Sequence, residues 1–155
     1  MALADNLRIE SVSRLAPSAP HYIDYQNSIA EAIKLMRKHR VGCLLVCREH
    51  KLIGVFTERD LLTRVLAKNL SIEQKMERVM THNPVCITMK DPIRVAIKKM
   101  VEGGYRHLPV INEYHIPIGI LSVKRVIHYL IEYFPDLIYN LPSDPNRIFM
   151  QLNGA

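Results

Sequence analysis

Three features of this 155-residue chain predict an α/β fold built from two β-α-β-β-α repeats. The sequence repeats itself 64 residues on, from Arg14 to Arg78; each copy opens with a helix-start signal; and each helix is followed by two short apolar runs with a polar turn between them. When "RLAPSAPHYIDYQNSIAEAIKLMRKHRVGCLLV" is set over "RVMTHNPVCITMKDPIRVAIKKMVEGGYRHLPV", Pro20 meets Pro84, Ile23 meets Ile87 and Ile29 meets Ile93. Ala32-Ile33-Lys34 meets Ala96-Ile97-Lys98, Met36 meets Met100, and Leu44 and Val46 meet Leu108 and Val110. One inserted residue later, "LIGVFTERDLL" lies over "PIGILSVKRVI".

In the first copy, Ser28-x-x-Glu31 has the form of a capping box, and Ile29, Ala32, Ile33 and Met36 share one helical face. In the second copy Asp91 is the expected cap, with Pro92 at the first helical position, where its missing N–H costs nothing. Ile93, Ala96, Ile97 and Met100 make the matching face. At that spacing Met36 and Met100 read as core rather than as cofactor ligands. Strands are expected over 43–46 and 52–56, then 108–111 and 116–121, with closing helices over 58–67 and 123–133. The stretch "KNLSIEQKMERVM" holds neither Gly nor Pro, so it reads as a partly helical connector and not as a flexible linker. One such unit leaves apolar surface uncovered, whereas two bury it sheet against sheet about a pseudo-twofold axis. The expected organisation is a lead-in (1–19), a repeat (20–69), a connector (70–83), a second repeat (84–133) and an extension (134–155).

Composition excludes several classes. Apolar residues at 48% and charged ones at 23% are ordinary globular values. The absence of Trp and the presence of only three Phe argue against an aromatic platform for stacking bases. The net charge of +6 favours anionic partners, but the basic residues are dispersed, so a solvated surface is expected rather than a nucleic-acid interface. The basic run "MRKHR" falls at a helix end, where positive charge complements the dipole. Cys43 and Cys47 lie about four strand residues apart, roughly 13 Å, beyond disulfide reach. Together with Cys86 they read as reduced thiols of a cytoplasmic protein. No secretory pattern opens the chain, and no apolar run reaches membrane-spanning length. The seven histidines lack metal-ligand spacing, and no nucleophile elbow, P-loop or catalytic triad is present, so neither a metal nor an enzyme is expected. The tail from Tyr133, with four aromatics and three prolines, is expected to be an ordered extension.

The stretch "GVFTERD" stands where an apolar run passes into a helix. Thr57-x-x-Asp60 fits a capping box, and it equally fits a ligand grip, because a carboxylate at such a junction can hold a sugar diol. Spacing leaves both readings open.

The two aligned copies, "NSIAEAIKLMRKHRVGCLLV" with "LIGVFTERDLL" and "DPIRVAIKKMVEGGYRHLPV" with "PIGILSVKRVI", resemble the cystathionine-β-synthase (CBS) domain family, here as a tandem pair. The resemblance implies a regulatory module with no obligatory cofactor that binds AMP, ADP, ATP or S-adenosylmethionine in clefts between the repeats and acts on a partner protein. Gly54, Thr57 and Asp60, with Glu58 among them, match the family's Gly-x-x-Thr/Ser-x-x-Asp ribose motif. The resemblance further implies that Val85, Ile87, Arg106, His107 and Pro109 complete that cleft: apolar walls for adenine, basic groups for phosphate. Val85 and Ile87 are expected to be core residues with or without a ligand. In the second copy Gly119 and Ser122 are kept, but Arg125 replaces the aspartate. Arginine has no acceptor for a diol, so two unequal clefts are expected, with Arg125 occupying its cleft or gripping a phosphate. A homodimer is also expected, through Leu61, Leu62 and Val65 beside Val126, Ile127 and Leu130. The alternatives are a structural dimerisation module with degenerate clefts and a nucleic-acid binder.

Overall fold

A computed structural model of the chain describes residues 3–136, with side-chain burial from residue 5. The extension beyond residue 136 lies outside the described residues, as does most of the expected ordered tail.

The chain forms two compact units, and each is assembled from non-contiguous segments. Among the described residues, one holds 19–85 with 111–118; the other holds 3–18, 86–110 and 119–136. In the first, a four-stranded sheet runs in the order β1 (Tyr22–Asp24), β2 (Cys43–Arg48), β3 (Lys51–Thr57), β4 (Thr81–His82). β1 lies parallel to β2, with Ile23 opposite Val46; β2 and β3 form an antiparallel hairpin; β4 pairs antiparallel with β3, His82 opposite Gly54. The hairpin turn is Glu49-His50, with φ of 49° and 66°. Positive φ at both central residues gives the turn the twist of its flanking strands. α2 (Ile29–His39) covers one face, and its Ile29, Ala32 and Met36 join Ile23, Leu44, Val46, Phe56 and Val65 in one core.

α2 starts as the sequence predicts: Ser28 accepts from the Glu31 N–H while the Glu31 carboxylate accepts from the Ser28 N–H at 2.8 Å. The connector completes this start. Ile29 and Ala30 N–H groups donate to the Gln74 and Ile72 carbonyls at 2.9 Å each, so a distant segment satisfies helix-end donors that a helix cannot pair itself.

The second sheet pairs β5 (His107–Ile111) with β6 (Pro117–Ser122), and α4 (Ile93–Gly103) and α5 (Val123–Tyr133) belong to the other unit. The strand expected before α4 is reduced to one parallel bridge, Ile87 to Val110, the pseudo-equivalent of Ile23 opposite Val46. On the far edge, Ser18 bridges Ile120. The lead-in carries α1 (Leu3–Ile9) and a 3-10 turn over Val12–Leu15. Leu7, Val12 and Leu15 are buried in one core with Ile93, Ala96, Met100, Leu121 and Val126. The segment serves α4 as the connector serves α2: the Ile93 N–H donates to the Glu10 carbonyl at 2.9 Å.

Four expectations need correction. Pro92, not Asp91, is the N-cap of α4, with ψ of 145° and a ring that has no acceptor to offer, while the Asp91 carboxylate accepts from the Thr88 N–H at 2.8 Å. The helix expected over 58–67 is α3 (Glu58–Asp60) running into a π-helical turn, Leu61–Leu66. Val85 is not core but 37% exposed. Of the six residues expected on a dimer face, Val65 and Val126 are buried, whereas Leu62 and Ile127 are exposed and are joined by Leu66 and Ile131. A helix burying one stripe leaves the next stripe out, and the apolar pairs at 61–62, 65–66 and 126–127 straddle that border.

Candidate functional site

β3 alternates inward Leu52, Gly54 and Phe56 with half-buried Ile53, Val55 and Thr57. Gly54 is required by close approach: a Cβ there would press into the Met80 side chain, 2.9 Å from its Cγ. Met80 is itself buried, at the end of the connector and just before β4.

At the end of β3, Thr57 is extended (φ −120°, ψ 167°) and caps the following turn. The Asp60 N–H donates to Thr57 Oγ1 at 3.3 Å. In return, Asp60 Oδ2 accepts from the Thr57 N–H at 2.9 Å and from its hydroxyl at 3.0 Å. Asp60 Oδ1 faces Arg64 Nε at 3.4 Å, and only 14% of the Asp60 side chain is exposed. A carboxylate offers about four acceptor directions, and these contacts use three, so a diol can enter once the rotatable Thr57 hydroxyl turns away. The Asp60 charge is felt nearby: burial, then that charge, push the Cys43 thiol up to about 12. Burial, then Asp24, push Cys47 to about 11, and burial chiefly raises Cys86. All three cysteines are free thiols.

Gly54, Thr57, Glu58, Asp60 and Val85 therefore belong to one unit. The Glu58 N–H donates to the Gly42 carbonyl at 3.1 Å, and its side chain lines an open groove of about 480 Å³ with Ile33, Met36, Arg37, Arg40, Val41 and Leu61. Ile87, Arg106, His107, Pro109, Ser122 and Arg125 belong to the other unit. There the Ile87 N–H donates to the Pro109 carbonyl, and the Val123 N–H to the Arg106 carbonyl, the counterpart of the Glu58–Gly42 bond. Ser122 caps α5 by accepting from the Arg125 N–H at 3.2 Å, but no carboxylate answers it. The Arg125 guanidinium donates to the Ser18 hydroxyl at 3.1 Å. A Cβ on Gly119 would meet Pro17 Cβ at 3.2 Å, a milder contact than the one at Gly54.

Sequence reasoning missed Arg64. Its Nη1 donates to the Val79 carbonyl at 3.1 Å and the Met80 carbonyl at 2.9 Å while Nε faces Asp60. The Asp60-x-x-x-Arg64 spacing was the available signal. Among the described residues no cluster of His, Cys, Asp or Glu could hold a metal ion, and no helix is long and apolar enough to cross a membrane.

Paired repeats, each with a hairpin strand running into a helix, are the architecture of the CBS class. The CBS domain family model matches residues 12–67 and 76–132, and the chain belongs to that family. It is 33% identical over 127 residues to the CBS domain-containing protein CBSCBSPB3 of Arabidopsis thaliana, covering 81% of this chain and 21% of that protein. It thus spans about a fifth of that plant relative's length. It is 30% identical over 122 residues to an uncharacterized 17.7 kDa protein of Acidianus ambivalens, covering 78% of this chain and 73% of the relative. The solved CBS domain protein PAE2072 from Pyrobaculum aerophilum, complexed with AMP, shares the fold with a TM-score of 0.70 at 24% identity, covering 94% of this chain and 99% of that one. The CBS domain pair of protein MJ0100, in complex with 5′-methylthioadenosine and S-adenosyl-L-methionine, matches with a TM-score of 0.69 at 27% identity, covering 79% and 96%.

Proposed function

We propose that this chain is a regulatory sensor that binds an adenosine-containing ligand (AMP, ADP, ATP or S-adenosylmethionine) and alters the behaviour of a partner protein. The observation that carries this reading is the half-buried Asp60, held by Thr57 at the end of β3 with acceptor capacity to spare for a ribose diol. The adenosine ligands of the PAE2072 and MJ0100 structures support the same chemistry. The second motif is not built for a diol, since Arg125 replaces the carboxylate and is engaged by Ser18. The module has no catalytic role and works in the cytoplasm, where its three thiols stay reduced.

A ligand that binds the native state raises its unfolding midpoint. A thermal-shift panel of AMP, ADP, ATP and S-adenosylmethionine should therefore raise the midpoint with at least one member. A flat response across the panel at millimolar ligand, about the weakest affinity of interest, would sink the reading.

The exposed Leu62 and Leu66, and Ile127 and Ile131, favour a homodimer as the working state. Sedimentation at tens of micromolar, roughly the range of non-obligate pairs, should show the dimer; monomer alone would refute it.

A further inference from the structure

We propose that Arg64 is a positioning residue that orients Asp60 for its ligand and ties the loading of Asp60 to the end of the connector. The proposal rests on the reading of Asp60 as a ribose acceptor and deepens it. One guanidinium meets three oxygens: Asp60 Oδ1 at 3.4 Å and the Val79 and Met80 carbonyls at 3.1 and 2.9 Å. The two short bonds are to the connector, so its backbone fixes where the guanidinium stands. The longer contact to Oδ1 exceeds the about 2.7–2.9 Å of a strong charge-assisted bond. It steers the carboxylate plane while leaving Oδ1 able to accept from a ligand.

Two further observations converge on the same place. Gly54 makes room for the Met80 side chain, and Arg64, which faces Asp60, donates to the Met80 carbonyl, so the motif's glycine meets Met80 directly and its aspartate is connected to Met80 only through Arg64. Thr81 and His82 follow directly as β4, paired with Val55 and Gly54. The π-helical turn Leu61–Leu66 carries Arg64, and such turns shift the side chains after them relative to an α-helix. In the second copy the link is absent: Tyr129 stands where Arg64 does, and Arg125 where Asp60 does. Arg125 instead reaches Ser18 directly.

A carboxylate that gains a ligand diol is held more rigidly, and through Arg64 that rigidity reaches the Val79 and Met80 carbonyls. Hydrogen exchange reads this link in the absence of any ligand. Asp60→Asn keeps an acceptor for Thr57 but removes the charge that Arg64 faces. If the link exists, Asp60→Asn and Arg64→Met should each speed exchange of the 79–83 amides several-fold, and the double variant should do little more than either alone. If Asp60→Asn leaves those amides unchanged while Arg64→Met exposes them, Arg64 is only a brace for the connector and the proposal is wrong.

The ligand arm compares AMP with 2′-deoxy-AMP by calorimetry. Arg64→Met should lower affinity for AMP about fivefold or more and shrink the preference over the deoxy nucleotide, with Arg64→Lys restoring part of both; a misaligned carboxylate loses part of a charge-assisted bond. Equal weakening of both nucleotides, with the preference intact, would overturn the positioning role. Failure of the parent chain to bind any adenosine ligand removes the sensor reading, and the exchange arm still decides whether Asp60 and the connector are linked.

Discussion

At the end of β3 and at the end of β6 the chain performs the same manoeuvre with different chemistry. Both strands finish in an extended hydroxyl residue, Thr57 or Ser122, whose oxygen accepts from the N–H three residues on. In the first copy the third residue is Asp60, which returns two bonds to Thr57 and faces Arg64. In the second it is Arg125, which returns none and leaves for Ser18. The helix start survives either way, so capping alone does not require an acid at this position. What the acid adds is a fixed, half-buried acceptor, and only the first copy has it.

The largest expected effect separates the two glycines. Gly54→Val drives a branched side chain into buried Met80, so unfolding should come earlier by about 1–3 kcal/mol or more in a denaturant titration. Gly119→Ala meets Pro17 Cβ at 3.2 Å and should cost clearly less. Equal losses would show that the first glycine is not specially constrained by the connector.

Next come the caps. Thr57→Ala removes the acceptor for the Asp60 N–H and the hydroxyl bond to Asp60, and should cost about 1–2 kcal/mol. Ser122→Ala loses one accepted bond and should fall nearer about 0.5–1 kcal/mol. Chemical denaturation of both variants checks the ranking.

The smallest effect is electrostatic. Cys43 titrates at about 12 rather than its ordinary 9.0, so the unfolded chain gives up this proton first. The stability it contributes is complete below pH 9 and is lost as pH rises towards 12. His107 holds the corresponding position in the second copy, so that copy has no such thiol. Because the Asp60 charge is the lesser cause after burial, Asp60→Asn should lower the Cys43 value modestly. Alkylation rates against pH, in a Cys47→Ala, Cys86→Ala background, report the shift; an unmoved profile would mean that Asp60 and Cys43 do not sense each other.

Much of this was legible in residues. The Ser28–Glu31 box, α5 over Val123–Tyr133 and the paired strands follow from local signals that the fold leaves intact. The failures are long-range. Pro92 fits a first helical position by propensity, yet the lead-in pairs across it, Ser11 bridging Pro92, and the helix begins one residue later. Nothing local says that Gln74 and Ile72 carbonyls will finish α2, or Glu10 α4. The π-helical turn keeps the same apolar pairs that an α-helix would, so periodicity cannot distinguish them. At the candidate site, the Thr57-x-x-Asp60 pair was readable from spacing as a cap or a ligand grip and Gly54 from the resemblance to the CBS family, whereas Arg64 meets carbonyls that only folding brings to it.

The central claim is that Asp60 is a ligand acceptor and Arg125 is not. Calorimetric titration of AMP into the parent, Asp60→Ala and Arg125→Ala tests it most directly. Charge-assisted hydrogen bonds contribute roughly 1.5–3 kcal/mol each, so Asp60→Ala should weaken binding by about ten- to a hundred-fold, while Arg125→Ala leaves the first site unchanged. If Asp60→Ala binds AMP as tightly as the parent, Thr57-x-x-Asp60 is a helix cap and nothing more.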